Sequence, residues 1–392
     1  MPVQATRPAL ESAPTPPASG PVDARRHPRG SVFYPKADSP LDDAALRDLR
    51  RGDCSAIAPS DVLDACRSAL GRRPISVTPL PFQGTFHRLY RAVMPDGLPV
   101  IVRTSPIDAP GHDHGLLADL WASRRLRPLG LPVVEVFAVD LSRAFVPFDF
   151  QVMAEAPGRS LREFDHDDDA ILPLLHALGR TIARLHGVRL EGFGWVDASP
   201  MTDPGADPGR IIGIFDSWGD YVRLRLCEHL SICVSLGSID AAEADRIGRL
   251  FGDSGGLFRA VEPRLLHGDL GNHNVFVSGG QVSALIDWED CLAGDPAFDV
   301  AFWATFHPDR RLDAILGGYG SEAESPGDFL RRFWLYYLRI ALSKTVLRHR
   351  FGDVDRPGRA PAAARIRKAL DRLHALDERP GQPGGEPTCV SS

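Results

Sequence analysis

The sequence predicts an α+β protein of two lobes, a small antiparallel β-lobe carrying one helix and a larger, mostly helical lobe. Between residues 75 and 155, short β-branched and aromatic runs alternate with Gly- and Pro-containing turns. Beyond residue 156, longer segments carry apolar residues at helical spacing. At 392 residues the chain is long enough for two lobes, each with its own core.

Residues 1–30 are rich in Pro, Ala and Arg, and 378–392 in Pro and Gly. Both offer little apolar surface to offset the entropy of ordering, so disordered tails are expected. Residues 31–72 read as a helical extension with apolar positions Leu41, Leu46, Val62 and Leu63, expected to brace the small lobe. The small lobe spans 73–155. A short strand at 75–77 leads to Gln83-Gly84-Thr85, and 87–94 and 99–103 flank the turn Pro95-Asp96-Gly97-Leu98 as a hairpin. A helix over 113–127 shows Leu116, Leu117, Leu120 and Trp121 at helical spacing, and strands follow at 133–139 and 148–153.

The large lobe spans 156–377. Helices are expected at 171–186, 216–236, 241–251, 329–348 and 361–376. Asp295-Pro296 reads as an N-cap and first helical position opening another, with Phe298, Val300, Phe302 and Trp303 inside it.

A net charge of −6 argues against a nucleic-acid partner, which demands a basic face. Six cysteines without CxxC spacing argue against structural zinc and a disulfide framework, and fit a reducing cytoplasm. Neither a secretory h-region nor an apolar run of membrane-spanning length is visible, so no membrane association is expected. Only Lys36, Lys344 and Lys368 are lysines; the other basic residues are arginines.

Chemistry concentrates in His267-Gly268-Asp269-Leu270-Gly271-Asn272-His273-Asn274 and in Ile286-Asp287-Trp288-Glu289. Phosphoryl transfer needs a carboxylate near the acceptor hydroxyl and oxygen ligands for the Mg²⁺ on the nucleotide. Asp269, Asn274 and Asp287 are those residue types. If Val277 pairs with Val282 across the turn at 278–281, Asn274 lies beside 285–287, at cross-strand distances of roughly 5 Å. A turn and a helix cap could use the same residue types, though three of ligand type at compatible spacing rarely coincide.

These segments, with Gly294-Asp295-Pro296, Asp299, and Leu185-His186 ahead of Gly192-Phe193-Gly194, resemble the aminoglycoside phosphotransferase and choline kinase-like family of the protein-kinase-like fold. The resemblance covers residues 75–345. It implies that Asp269 is the catalytic base and that Asn274 and Asp287 hold Mg²⁺. It also implies that His267 supports the catalytic loop. Backbone N–H groups of Gln83, Gly84 and Thr85, between two strands, could cover phosphates, with an ordinary hairpin turn as the alternative. Arg103 would replace the customary lysine on the α- and β-phosphates, with Asp119 as its helix partner where the family has glutamate. Adenine would meet backbone near Val152 and Glu155. ATP is the expected donor, with GTP open.

The expected activity is thus transfer of a γ-phosphoryl group to a hydroxyl of a small molecule, whether an aminoglycoside-like antibiotic, a sugar or an amino alcohol. Two rivals stand beside it: a nucleotide-binding, pseudokinase-like regulatory module, and a metal-dependent hydrolase using His267, Asp269 and Asp287. The acidic run at 164–169 reads as a solvated helix start rather than an acceptor site. Asp295 and Asp299 read as a cap and a brace under the catalytic loop.

Overall fold

The computed structural model describes residues 24, 26–55, 57–105, 113–320, 326–353 and 361–378, so most of both expected tails lies outside the described residues. Three helices come first: α1 (Pro35–Asp38), α2 (Asp43–Arg51) and α3 (Pro59–Leu70). Asp42 caps α2 by accepting from Ala45 N, and Pro59 opens α3 in its first turn.

Strands β1 (Ser76–Pro79), β2 (Arg88–Val93), β3 (Pro99–Ser105), β4 (Val136–Asp140) and β5 (Asp149–Ala154) form an antiparallel sheet in the order β1-β2-β3-β5-β4. Helix α4 (Asp113–Leu126) lies between β3 and β4 in the chain, with Leu116, Leu117 and Trp121 buried. Val62, Ala65 and Cys66 of α3 pack with Tyr90, Val102, Phe150 and Val152 in the small-lobe core. This part of the N-terminal extension does brace the small lobe.

The large lobe starts with β6 (Arg159–Ser160), α5 (Asp168–Leu185), β7 (Phe193–Val196) and β8 (Gly213–Phe215). The continuous helix expected over 216–236 is instead two, α6 (Trp218–Arg223) and α7 (Leu226–Ser235). Between them Arg225 turns left-handed, at φ 54°. The buried Arg339 accounts for the break: it donates to Val222 O and Leu224 O, carbonyls that would otherwise point into the core unpaired. Next come α8 (Ala241–Asp253), α9 (Gly255–Arg259), β9 (Arg264–Leu266), the hairpin β10 (Val275–Ser278) and β11 (Gln281–Leu285), and β12 (Leu292–Gly294). Helices α10 (Pro296–Ala304), α11 (Asp309–Tyr319), α12 (Pro326–Arg350) and α13 (Ala362–Asp377) close the chain. The hairpin register pairs Val277 with Val282, as the turn spacing predicts.

The start of the extension behaves differently from its helices. Residues 26–39 run as a strap across the large lobe rather than the small one, and they include 26–30, expected as tail. Phe33 and Tyr34 are 2% and 6% exposed within the large-lobe core. Trp195 Nε1 donates to Val32 O, Tyr221 OH to Phe33 O, and Arg350 to Ala37 O and Ser39 O. Asp38 Oδ2 accepts from Phe33 N and Tyr34 N, and its Oδ1 lies 2.8 Å from His229 Nε2. Arg339 donates to His229 Nδ1, so the imidazole is the neutral Nε2–H tautomer, donating to Asp38.

Candidate active site

Strand β9 delivers the chain to Gly268, whose φ is 79°. A Cβ there would fall 1.7 Å from Asp290 O, so only glycine permits this turn. Asp299, fully buried on α10, accepts from His267 N at 2.7 Å and from Gly268 N at 2.9 Å, and His186 Nε2 lies 3.2 Å from it. It is the brace the sequence suggested. His267 Nε2 donates to Ile286 O at 2.9 Å, joining the loop to the end of β11. Asn272, not singled out by sequence, bonds Asp165 through Nδ2 and accepts from Trp303 Nε1. Asp165 is thus a strut of this loop, and Asp167 of the same acidic run caps α5.

On this frame the predicted triad comes together. Asn274 Nδ2 donates to Asp269 O at 3.0 Å, leaving its carbonyl oxygen as a potential ligand, and Ile286 N donates to Asn274 O at 3.0 Å. Asp287 follows directly, in a left-handed conformation (φ 67°) that is costly for a non-glycine residue. Its buried Oδ1 accepts no hydrogen bond, although Arg103 Nη2 lies 2.8 Å away. Burial and the neighbouring Glu289 and Asp119 outweigh that arginine and push the Asp287 carboxyl up to about 8.

Arg103, 4% exposed, meets Asp119 at 2.5 Å, Glu289 at 2.6 Å and Asp287. The pairing with Asp119 matches the expectation from the family resemblance. Asp119 also accepts from Gln151 Nε2 and Trp288 N, and Glu289 lies 2.8 Å from His87 Nε2. Glu289, Gln151 and His87 were missed as parts of this network.

Asp269 faces two cations that sequence reasoning also missed: Lys36 Nζ lies 3.4 Å from Oδ2 and Lys344 Nζ 4.0 Å from Oδ1. Burial disfavours the Asp269 carboxylate, but the two lysines outweigh it and lower the group to about 2. Lys344 sits over the rings of Tyr34 at 3.8 Å and Phe302 at 4.2 Å. Burial pushes Lys344 down to about 7. The signal available was compositional, since Lys36 and Lys344 are two of only three lysines in the chain.

A cleft of about 1240 Å³ between the lobes is lined by Gly84, Thr85, Arg103, Asn274, Asp287 and Lys36, among others. Three predicted residues have side chains engaged elsewhere, which leaves their expected backbone contacts untouched. Gln83 also lines the cleft, yet its side chain pins its own loop through Leu80 O and Leu89 N. Val152 points into the small-lobe core, so Met153, Ala154 and Glu155 line the cleft instead, and Glu155 pairs with Arg91 at the rim. Among the described residues no group of three His, Cys, Asp or Glu is arranged to hold a metal. Nor is any described helix long and apolar enough to cross a membrane.

A small β-lobe over a helical lobe, with an Asn/Asp pair lining the cleft between them and a buried carboxylate paired to the cleft-lining Lys36, is the arrangement of the small-molecule phosphotransferase class. The chain belongs to the phosphotransferase enzyme family (APH), which it matches over residues 80–334. It is 25% identical over 199 residues to the hygromycin-B 4-O-kinase of Escherichia coli, a match covering 48% of this chain and 53% of that protein. The matched region thus spans about half the length of that curated relative. The fold resembles a thermostable mutant of the aminoglycoside phosphotransferase APH(4)-Ia in its apo form (TM-score 0.55, 18% identity, 82% of this chain and 98% of that one). It also resembles a protein assigned as a fructosamine-3-kinase from Thermobifida fusca YX-ER1 (TM-score 0.57, 21% identity, 81% and 99%). A thermostable APH(4)-Ia variant was solved in ternary complex with AMP-PNP and hygromycin B (TM-score 0.55, 18% identity, 81% and 98%).

Proposed function

We propose that this chain is a Mg²⁺-dependent kinase that moves the γ-phosphoryl group of ATP to a hydroxyl of a small molecule. The observation that carries the reading is the meeting of Asn274 and Asp287 on one cleft large enough for a nucleotide, with Asp269 held against it through its backbone bond to Asn274 and its ion pair with the cleft-lining Lys36. Asp287 and Asn274 would hold the metal, and the unbonded Asp287 Oδ1 with its raised pKa is the chemistry a divalent cation relieves. Bound there, Mg²⁺ would neutralise charge on the triphosphate.

Asp269 stays ionised at neutral pH and is a weak base. Its role is to accept a hydrogen bond from the acceptor hydroxyl, orient that oxygen for in-line attack, and take the proton late as the bond to phosphorus forms. The regulatory-module alternative draws on Arg103, whose charge is already matched by Asp119, Asp287 and Glu289.

The test is Mg²⁺-dependent transfer from ATP, and in parallel from GTP, to a panel of hydroxylated compounds that includes aminoglycosides, sugars and amino alcohols. Asp269→Asn should lower turnover by about 10²–10⁴-fold and leave nucleotide affinity nearly unchanged. Mg·ATP binding without turnover on any acceptor would favour the module, and equal turnover in the variant would refute the role of Asp269.

A further inference from the structure

The strap brings a cation into the catalytic centre from outside the family-matching region, which begins at residue 80. Lys36 Nζ lies 3.4 Å from Asp269 Oδ2, and its side chain lines the same cleft as Asn274, Asp287 and Glu289. It therefore joins the proposed base to the cleft that holds the proposed metal ligands, where a transferring group would sit.

Three uses of such a cation can be weighed. A removable plug would have to withdraw, yet Phe33 and Tyr34 are core residues and Asp38 is tied to His229 and Arg225. Pulling the strap away would expose that apolar surface and leave buried His229 without Asp38 and buried Arg339 without the Phe33 ring beneath it at 3.5 Å, a heavy cost. A purely structural ion pair has no reason to face the cleft, and Asp269 already has Lys344 near its other oxygen. A resident cation that meets the incoming anion fits both the anchoring and the exposure to the cleft.

We propose that Lys36 is a catalytic residue of the phosphoryl-transfer centre, its ammonium donating hydrogen bonds to the non-bridging oxygens of the transferring γ-phosphoryl group. The proposal rests on the phosphotransferase reading above. As the acceptor oxygen bonds to phosphorus, the bridging P–O bond to ADP breaks, ADP leaves with that electron pair, and the acceptor proton passes to Asp269. Lys36 remains protonated throughout and no bond to it changes. Charge spreads over the equatorial oxygens in such a transition state, where a fixed cation acts most strongly. Before nucleotide arrives, Asp269 holds the ammonium in position.

The test uses the full chain and a mimic that needs no acceptor: titration of Mg·ADP with and without aluminium fluoride, which occupies the γ-phosphoryl position. Wild type should bind more tightly with fluoride than without. Lys36→Met should lose about a hundredfold of that gain, keep Mg·ADP affinity within about twofold (a check that the cleft is folded), and lose transfer activity in parallel at unchanged KM for ATP. Lys36→Arg should recover most of both. A Lys36→Met protein that keeps the fluoride gain, or that turns over faster than wild type as a released plug would, overturns the proposal, as does a wild type that binds Mg·ADP with no fluoride gain. If wild type neither binds Mg-nucleotide nor transfers phosphate, the phosphotransferase reading itself falls and takes this one with it, an outcome distinct from failure at Lys36 alone.

Discussion

Arg103 on β3 donates to Asp119 on α4 at 2.5 Å, and its other terminal nitrogen lies 2.6 Å from Glu289 and 2.8 Å from Asp287. One guanidinium thus fastens the sheet and helix of the small lobe to Asp287 and Glu289 at the end of the large-lobe hairpin. Its planar fork can reach carboxylates in several directions at once, which a lysine could not do with the same geometry.

Removal of that cation should therefore damage both stability and binding. Arg103→Met leaves three carboxylates facing one another and should cost roughly 3–5 kcal/mol, read by denaturant titration. Nucleotide affinity should fall with it, because Asp287 loses the positive charge beside it. A stability within about 0.5 kcal/mol of wild type would contradict the brace.

The strap should be acid-sensitive. Burial and Arg339 depress His229 below the ordinary histidine value of 6.5, and its bond to Asp38 only partly opposes them. The unfolded chain therefore binds more protons than the fold in this range, and stability falls as pH drops below about 6.5. Asp38, held down by His229 despite its burial, adds a second loss as pH falls below its ordinary 3.8. Melting temperature measured from pH 8 to 5 should decline in wild type and decline less in His229→Gln. Parallel curves would place the titrating group elsewhere.

Gly268→Ala should be poorly tolerated. The left-handed conformation alone costs about 1–2 kcal/mol with a side chain, and the added carbon would meet Asp290 O. A drop of several degrees in melting temperature together with loss of transfer is expected. An alanine variant with native melting and activity would show that the loop relaxes freely.

Asp299→Ala leaves His267 N and Gly268 N without their buried acceptor, at about 1–3 kcal/mol for each stranded donor. Turnover should fall although Asp299 touches no substrate, and the KM for nucleotide should change less than kcat. Loss confined to nucleotide affinity would argue that the loop is held by other bonds.

Legibility in the sequence followed distance along the chain. Asp269, Asn274 and Asp287 could be read because one hairpin with an interpretable turn joins them. Arg103 and Asp119 are 16 residues apart, close enough to count back from a helix end. On β5 the expected contact was with backbone, so strand alternation was left open there: the Val152 side chain faces the core beside Val102, and Met153 turns to the cleft. The break at Arg225 carries no Gly or Pro signal, because a carbonyl-binding arginine 115 residues away from Leu224 makes it. Lys36 meets Asp269 across 233 residues, and no periodicity links them. What did hint at it was the retention of lysine in a chain that otherwise uses arginine.

The strap also sets an order of events during synthesis. Lys36 leaves the ribosome early, but Lys344 and Arg350, which meet Asp269 and the strap, follow about 300 residues later, some 15–60 s at ordinary elongation rates. Until α12 emerges, Phe33 and Tyr34 have no finished surface to enter, and the carboxylate at 269 lacks its second cation. A nascent chain that already displays every residue matched by the family would still lack Lys344 beside Asp269, and this cluster would close only when distant parts of the polypeptide meet.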